Sequence, residues 1–83
     1  MRVGVKLFGS VREAVGHREL SVELPSGSTL AALRDRLAAE HPVFAAFGMR
    51  LAVSLNLEVA RLDAPLRDGD EVAFLPPVSG GSG

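Results

Sequence analysis

One stretch, STLAALRDRLAAEHP (residues 28–42), has the length and period of a full helix, and it constrains everything around it. Leu30, Leu33 and Leu37 recur at i, i+3 and i+7, on a single face. Ala31, Ala38 and Ala39 flank that stripe, while Arg34, Asp35, Arg36 and Glu40 fall on the other side. Ser28 or Thr29 supplies the N-cap oxygen, and Pro42, which has no N–H to donate, ends the helix. A helix with one apolar stripe must bury it against another element. In this chain the flanking sequence supplies mainly strands.

MRVGVKLFG alternates with period two: Val3, Val5 and Leu7 point one way, Gly4, Lys6 and Phe8 the other. HRELSVELPSG alternates again, with Leu20, Val22 and Leu24 on one face and turn chemistry in Pro25-Ser26-Gly27. Between them SVREAVG reads as a helix of one to two turns. Ser10 is its expected N-cap, Glu13 has the capping-box spacing, and Gly16 suits the C-terminal end. Val11, Ala14 and Val15 are expected to turn inward, and the two strands to pair antiparallel. Val43–Met49 reads as an apolar loop with a helical turn around Phe44 and Phe47. Leu51, Val53 and Leu55 alternate, Asn56 starts a tight turn, and Leu57–Leu62 returns as a strand. APLRDGD is a turn, and EVAFL is the last strand, with Val72 and Phe74 on one face and Ala73 and Leu75 on the other. The order gives an α+β fold, a small mixed sheet with one main helix packed on one face.

Composition removes several functions. At 83 residues the chain makes one domain. It has no cysteine, so disulfides, thiolate metal sites and side-chain thiol chemistry are excluded. The net charge of −1 and the lack of a basic stripe argue against nucleic acid as a partner. No run approaches the roughly 18 apolar residues of a membrane span. The N-terminus lacks a secretory pattern, so no membrane association and a cytoplasmic location are expected. His17 and His41 stand apart without ligand spacing, so no metal site is expected. Asp63, Asp68, Asp70 and Glu71 resemble a carboxylate cluster, but Asp68-Gly69-Asp70 is mainly turn chemistry. An acidic patch there would help docking electrostatically. No phosphate-binding glycine loop is present, so the chain is expected to bind no cofactor and no ATP itself. Lys6 is the only lysine against eight arginines.

The chain closes on LPPVSGGSG. Pro76 and Pro77 cannot donate to a ladder and favour extended geometry. Six extended residues reach on the order of 20 Å. Gly80 and Gly81, having no Cβ, would pass a channel too narrow for side chains. Such a tail suits a C-terminal carboxylate delivered into another protein's active site, where it reacts once activated. A frayed, functionless end is the competing reading. Residues 1–75 therefore form the domain and residues 76–83 an extended tail carrying Gly-Gly. Phe8, Phe74 and Leu75, near the strands expected to lie centrally, join Pro76, Pro77 and Val78 as expected partner-binding residues, because helices cover only one sheet face. Arg12 is a candidate for pairing with a partner's acidic group, or a solvated helix residue.

VREAVG after the first strand and LRDGDEVAFLPPVSGG at the end resemble the small subunit of molybdopterin synthase, from about Arg2 to Gly81. The resemblance implies the ubiquitin-like β-grasp fold and a sulfur-carrier role. It implies that an adenylating enzyme of the ubiquitin-activating type uses ATP to form an acyl adenylate at Gly81. A sulfur donor protein then converts it to a thiocarboxylate, which enters the large subunit and donates sulfur to cyclic pyranopterin monophosphate for the molybdenum cofactor. Gly80 gives the narrow approach. Alone, the chain would have no turnover; with the large subunit it would form a 2:2 heterotetramer. The family ends at Gly-Gly, whereas Ser82 and Gly83 follow here. A processing peptidase removes them, or Gly83 is itself activated, or the two residues are extraneous; removal is the expectation. Two rivals stand beside this reading: a sulfur carrier for another pathway (thiamine or tRNA thiolation), and a ubiquitin-like modifier joined to target lysines. A plain binding module with an inert tail is a third.

Overall fold

Strand β1 (Arg2–Leu7) alternates as its sequence dictates, burying Val3, Val5 and Leu7. It pairs antiparallel with β2 (Glu19–Glu23) and parallel with β5 (Glu71–Leu75). Strand β3 (Ala52–Leu55) lies antiparallel to β5 on its other side and closes a hairpin with the two-residue β4 (Glu58–Val59). The sheet order is β2-β1-β5-β3-β4. The structure, a computed structural model, describes residues 1–46 and 51–76. Helix α1 (Gly9–Val15) connects β1 to β2. Helices α2 (Leu30–Glu40) and α3 (Pro42–Ala45) connect β2 to β3. This is the mixed, helix-backed β-grasp arrangement that the resemblance implies.

The leucine stripe of α2 does what its period requires: Leu30, Leu33 and Leu37 are fully buried, while Ala39 on the flank is exposed. The Thr29 hydroxyl accepts from the Ala32 N–H at 3.3 Å, which caps the helix. The first two N–H groups of α2 have no intrahelical acceptor. They donate instead to the Ala64 and Leu62 carbonyls at 3.1 and 2.9 Å. That demand shortens the strand expected over Leu57–Leu62 to Glu58–Val59, because the chain beyond Ala60 is drawn across to the helix end. In turn the Leu66 N–H donates to the Ser28 carbonyl at 2.9 Å, and Leu66 is buried.

Three local expectations are corrected. Ser10 does not cap α1; Phe8, in extended conformation, occupies the N-cap position and no side chain caps the helix. The capping box fails because Gly9 already turns the chain at φ 56, leaving Ser10 inside the helix. Ala14 is exposed; Val11 is buried and Val15 half-buried. Third, Phe74 is not a surface group. It is 1% exposed and meets Phe44 of α3 edge to face, with ring centroids 5.0 Å apart at 87°. The helical turn expected near Phe44 is α3; Phe47 lies outside the described residues.

Candidate docking surface and tail base

The face of the sheet away from α2 is the one that remains free, and its composition changes across the strands. Opposite Val3, Val5 and Leu7, strand β1 presents Arg2, Gly4 and Lys6. The ladder sets the rest. Ser54 faces both Val59 and Ala73, and Ala73 faces Lys6, which faces Glu19. One row therefore runs from an apolar edge at Val59 to a charged edge at Glu19. The next row holds Ala52 opposite Leu75. Extending the β1–β5 register by one residue places Phe8 beside Leu75.

Two ion pairs lie in the charged half. Lys6 Nζ lies 3.2 Å from Glu71 Oε2, and Arg2 Nη2 lies 3.0 Å from Glu23 Oε1. Pairs this exposed contribute little to stability, but they leave Lys6, the chain's single lysine, engaged. The apolar half is uncovered: Phe8 is 44% exposed, Leu75 39% and Val59 94%. A groove of about 400 Å³ opens beside β3 instead on the helix side, where Arg34 of α2, Val53, Leu62 and Phe74 line it together with Val59 and Leu75. Monomeric domains rarely leave grouped apolar side chains in water without a partner for them.

Phe8 and Leu75, expected from the sequence to bind a partner, are exposed on this face, whereas Phe74 is buried behind them. Pro76, half-buried, continues β5 at the same end of the sheet. Pro77, Val78, Gly80, Gly81, Ser82 and Gly83 lie outside the described residues. Val59 is a surface residue that the sequence reading misses. Counting back from the Asn56 turn with period two pairs it with Ser54 and puts it on the open face. Arg12 lies on the wall of a cleft of about 300 Å³ with Lys6, Leu7, Phe8, Arg18 and Glu19. Among the described residues neither Arg12 nor Arg18 forms an ion pair.

The carboxylate cluster resolves into turn chemistry. Asp68 Oδ1 accepts the Arg2 N–H at 2.7 Å, and Asp70 Oδ2 accepts the Arg67 N–H at 2.7 Å. Gly69 sits at φ 86 between them. Asp70 Oδ1 also accepts from Asn56 Nδ2 at 3.1 Å. This turn precedes β5, whereas the tail follows it. The strand's five residues separate the two by about 16 Å, so these aspartates are not an acidic patch at the tail base. Among the described residues, no group of three His, Asp or Glu side chains is placed to hold a metal ion, and no helix is long and apolar enough to cross a membrane.

With this geometry in view, the likeness to known proteins is specific. The ThiS family profile matches residues 5–81. The chain is 40% identical over 83 residues to the molybdopterin synthase sulfur carrier subunit of Mycobacterium tuberculosis, spanning 98% of this chain and 99% of that one. It is 36% identical over 84 residues to small archaeal modifier protein 1 of Haloferax volcanii, spanning 92% and 97%. The crystal structure of SAMP1 from Haloferax volcanii superposes with a TM-score of 0.88 at 32% identity, over 98% of this chain and 100% of that one. In the complex of subunits 1 and 2 of molybdopterin-converting factor from Helicobacter pylori, the similar chain gives a TM-score of 0.71 at 30% identity, over 98% and 100%. The family match over residues 5–81, the identity over essentially the full chain and the close superposition place the chain in the ThiS family, on the ubiquitin-like β-grasp fold.

Proposed function

We propose that the chain is the sulfur-carrier small subunit of a molybdopterin synthase, with Gly81 as the carrier residue. The observation that supports this most strongly is where similarity stops: the family match spans nearly the whole domain and ends on the second glycine of Gly80-Gly81. The likeness to a molybdopterin synthase sulfur carrier subunit over essentially the full chain supports the pathway. The apolar half of the open face, with Phe8, Leu75 and Val59 beside the end of β5, suits docking by a large subunit.

The chemistry proceeds in balanced steps. Hydrolysis of the Gly81–Ser82 peptide bond by a processing peptidase frees the Gly81 carboxylate and releases Ser-Gly. In the adenylating enzyme that carboxylate attacks the α-phosphorus of ATP, and pyrophosphate leaves. A persulfide on a donor protein displaces AMP to give an acyl disulfide, and a thiol of the partner then attacks the donor's sulfur, releasing the Gly81 thiocarboxylate and leaving a disulfide on the partner. Two such thiocarboxylates each pass one sulfur to cyclic pyranopterin monophosphate in the large subunit, and water restores the carboxylate after each transfer. This chain's residues dock and deliver; Gly80 keeps the approach free of a Cβ. Docking energy spent on holding the tail in place serves catalysis as orientation.

The test is reconstitution. The chain truncated after Gly81, with adenylating enzyme, ATP, sulfur donor and large subunit, is expected to convert cyclic pyranopterin monophosphate to the dithiolene product, and the full-length chain to do so only after trimming. No product from the truncated chain would overturn the reading. A second reading is favoured by the likeness to small archaeal modifier protein 1. On it, activated Gly81 is joined to lysines of other proteins. Isopeptide conjugates of the chain in cell extract would establish that use.

A further inference from the structure

Strands β1 and β5 run parallel with Leu7 opposite Phe74, and continuing that register by two residues brings Gly9 alongside Pro76. At this level the two strands part. Gly9 turns the chain away into α1 at φ 56, a left-handed conformation that L side chains rarely adopt. Pro76 follows the last residue of β5 and ends the ladder, since it has no N–H. The pyrrolidine ring fills the space that the turn vacates. A Cβ built on Gly9 would lie 3.0 Å from Pro76 Cγ and 3.5 Å from Cδ. The neighbour it meets is a closed ring fixed to the backbone, so it cannot rotate away like a flexible side chain.

We propose that Gly9 and Pro76 form a latch that aims the tail. The glycine's bare backbone seats the proline ring, and the seat sets the direction in which the chain continues toward Gly80-Gly81. Gly9 is thus a positioning residue acting through Pro76, with no contact to the reacting atoms. The inference deepens the carrier reading and rests on it for its consequence, but the aiming itself is a property of this chain alone. Positioning errors of about 1 Å at a reacting group cost up to 10²-fold in rate, so a displaced ring at the tail base has leverage.

Gly9→Ala combines two effects, a left-handed strain and a collision with Pro76. Gly16→Ala separates them, because Gly16 has φ 88 and a Cβ added there would meet nothing within 4 Å. Pro76→Ala removes the Cγ and Cδ atoms that the new methyl would meet. The absence of cysteine permits a single spin label at Gly83→Cys, which reads tail direction by the amides it broadens. Gly9→Ala is expected to change the set of broadened amides, and Gly16→Ala to leave it unchanged. In reconstituted sulfur transfer with the Gly81-ending chain, Gly9→Ala should lower kcat by about ten- to a hundredfold with KM for the carrier within about threefold. The same substitution in a Pro76→Ala background should cost less than about threefold. An unchanged broadening pattern in Gly9→Ala, or an equal kcat loss in both backgrounds, overturns the latch. Absence of turnover in the wild-type chain, with the broadening still shifting, leaves the latch intact and refutes the carrier reading instead.

Discussion

Phe74 makes the sharpest energetic prediction, because an exposed and a buried position have opposite consequences. It is 1% exposed, lies beside Leu7, and contacts Phe44 edge to face. Truncation to alanine would cost about 3–5 kcal/mol from lost apolar contact and the cavity left behind. A domain of 83 residues holds on the order of 5–12 kcal/mol in total, so Phe74→Ala would leave a chain close to unfolded. Phe74→Leu is the better probe. It keeps most of the volume, removes the ring, and should cost about 1–2 kcal/mol. The edge-to-face pair adds about 0.5–1.5 kcal/mol beyond area. That surplus is the coupling expected in a cycle of Phe44→Leu, Phe74→Leu and the double variant. With no tryptophan or tyrosine in the chain, urea unfolding is followed by far-ultraviolet circular dichroism. Leu75→Ala, one residue along and facing outward, should change stability by less than about 1 kcal/mol. Coupling below about 0.3 kcal/mol, or a loss at Leu75 as large as at Phe74, would refute this account of the core.

The β3–β4 hairpin offers a stabilising change. Asn56 and Leu57 both have positive φ, at 50° and 74°, the pattern of a type I′ turn that favours Asn-Gly. Leu57 is 88% exposed, so its side chain buries little; Leu57→Gly should raise stability by about 0.5–1 kcal/mol in urea unfolding, and a loss would contradict the strain argument. Asn56→Ala should destabilise by about 1–2 kcal/mol, since its Oδ1 accepts the Glu71 N–H at 3.0 Å and its Nδ2 donates to Asp70. On the open face, Val59→Asp and Leu75→Asp are each expected to weaken binding to the large subunit at least about tenfold in titration calorimetry, while leaving the unfolding midpoint nearly unchanged. Undiminished binding would place the docking surface elsewhere.

Much of this fold is legible because its periods are clean. The Leu30, Leu33 and Leu37 stripe and the alternation of Val3, Val5 and Leu7 each specify one buried face, and both faces are buried as written. The local misreadings share a cause: a tertiary demand invisible in a short window. Ser10 and Glu13 have capping-box spacing, but the turn at Gly9 starts the helix early. Leu57–Leu62 reads as a strand until the orphan N–H groups of α2 draw the Ala64 and Leu62 carbonyls away. Alternation gives Phe74 and Leu75 opposite faces without saying which one is covered; Phe44, thirty residues earlier in the chain, decides it. The Gly9–Pro76 contact has no sequence signal at all, since it depends on a parallel register between the first and last strands.

The central claim is that Gly81 carries sulfur, and the intact mass of the untagged protein from its native cell tests it most directly. A species ending at Gly81, with a fraction shifted by one oxygen-to-sulfur exchange, is the predicted result. A chain that always retains Ser82 and Gly83 and never gains sulfur, including after treatment with adenylating enzyme, ATP and a sulfur donor, would contradict the claim.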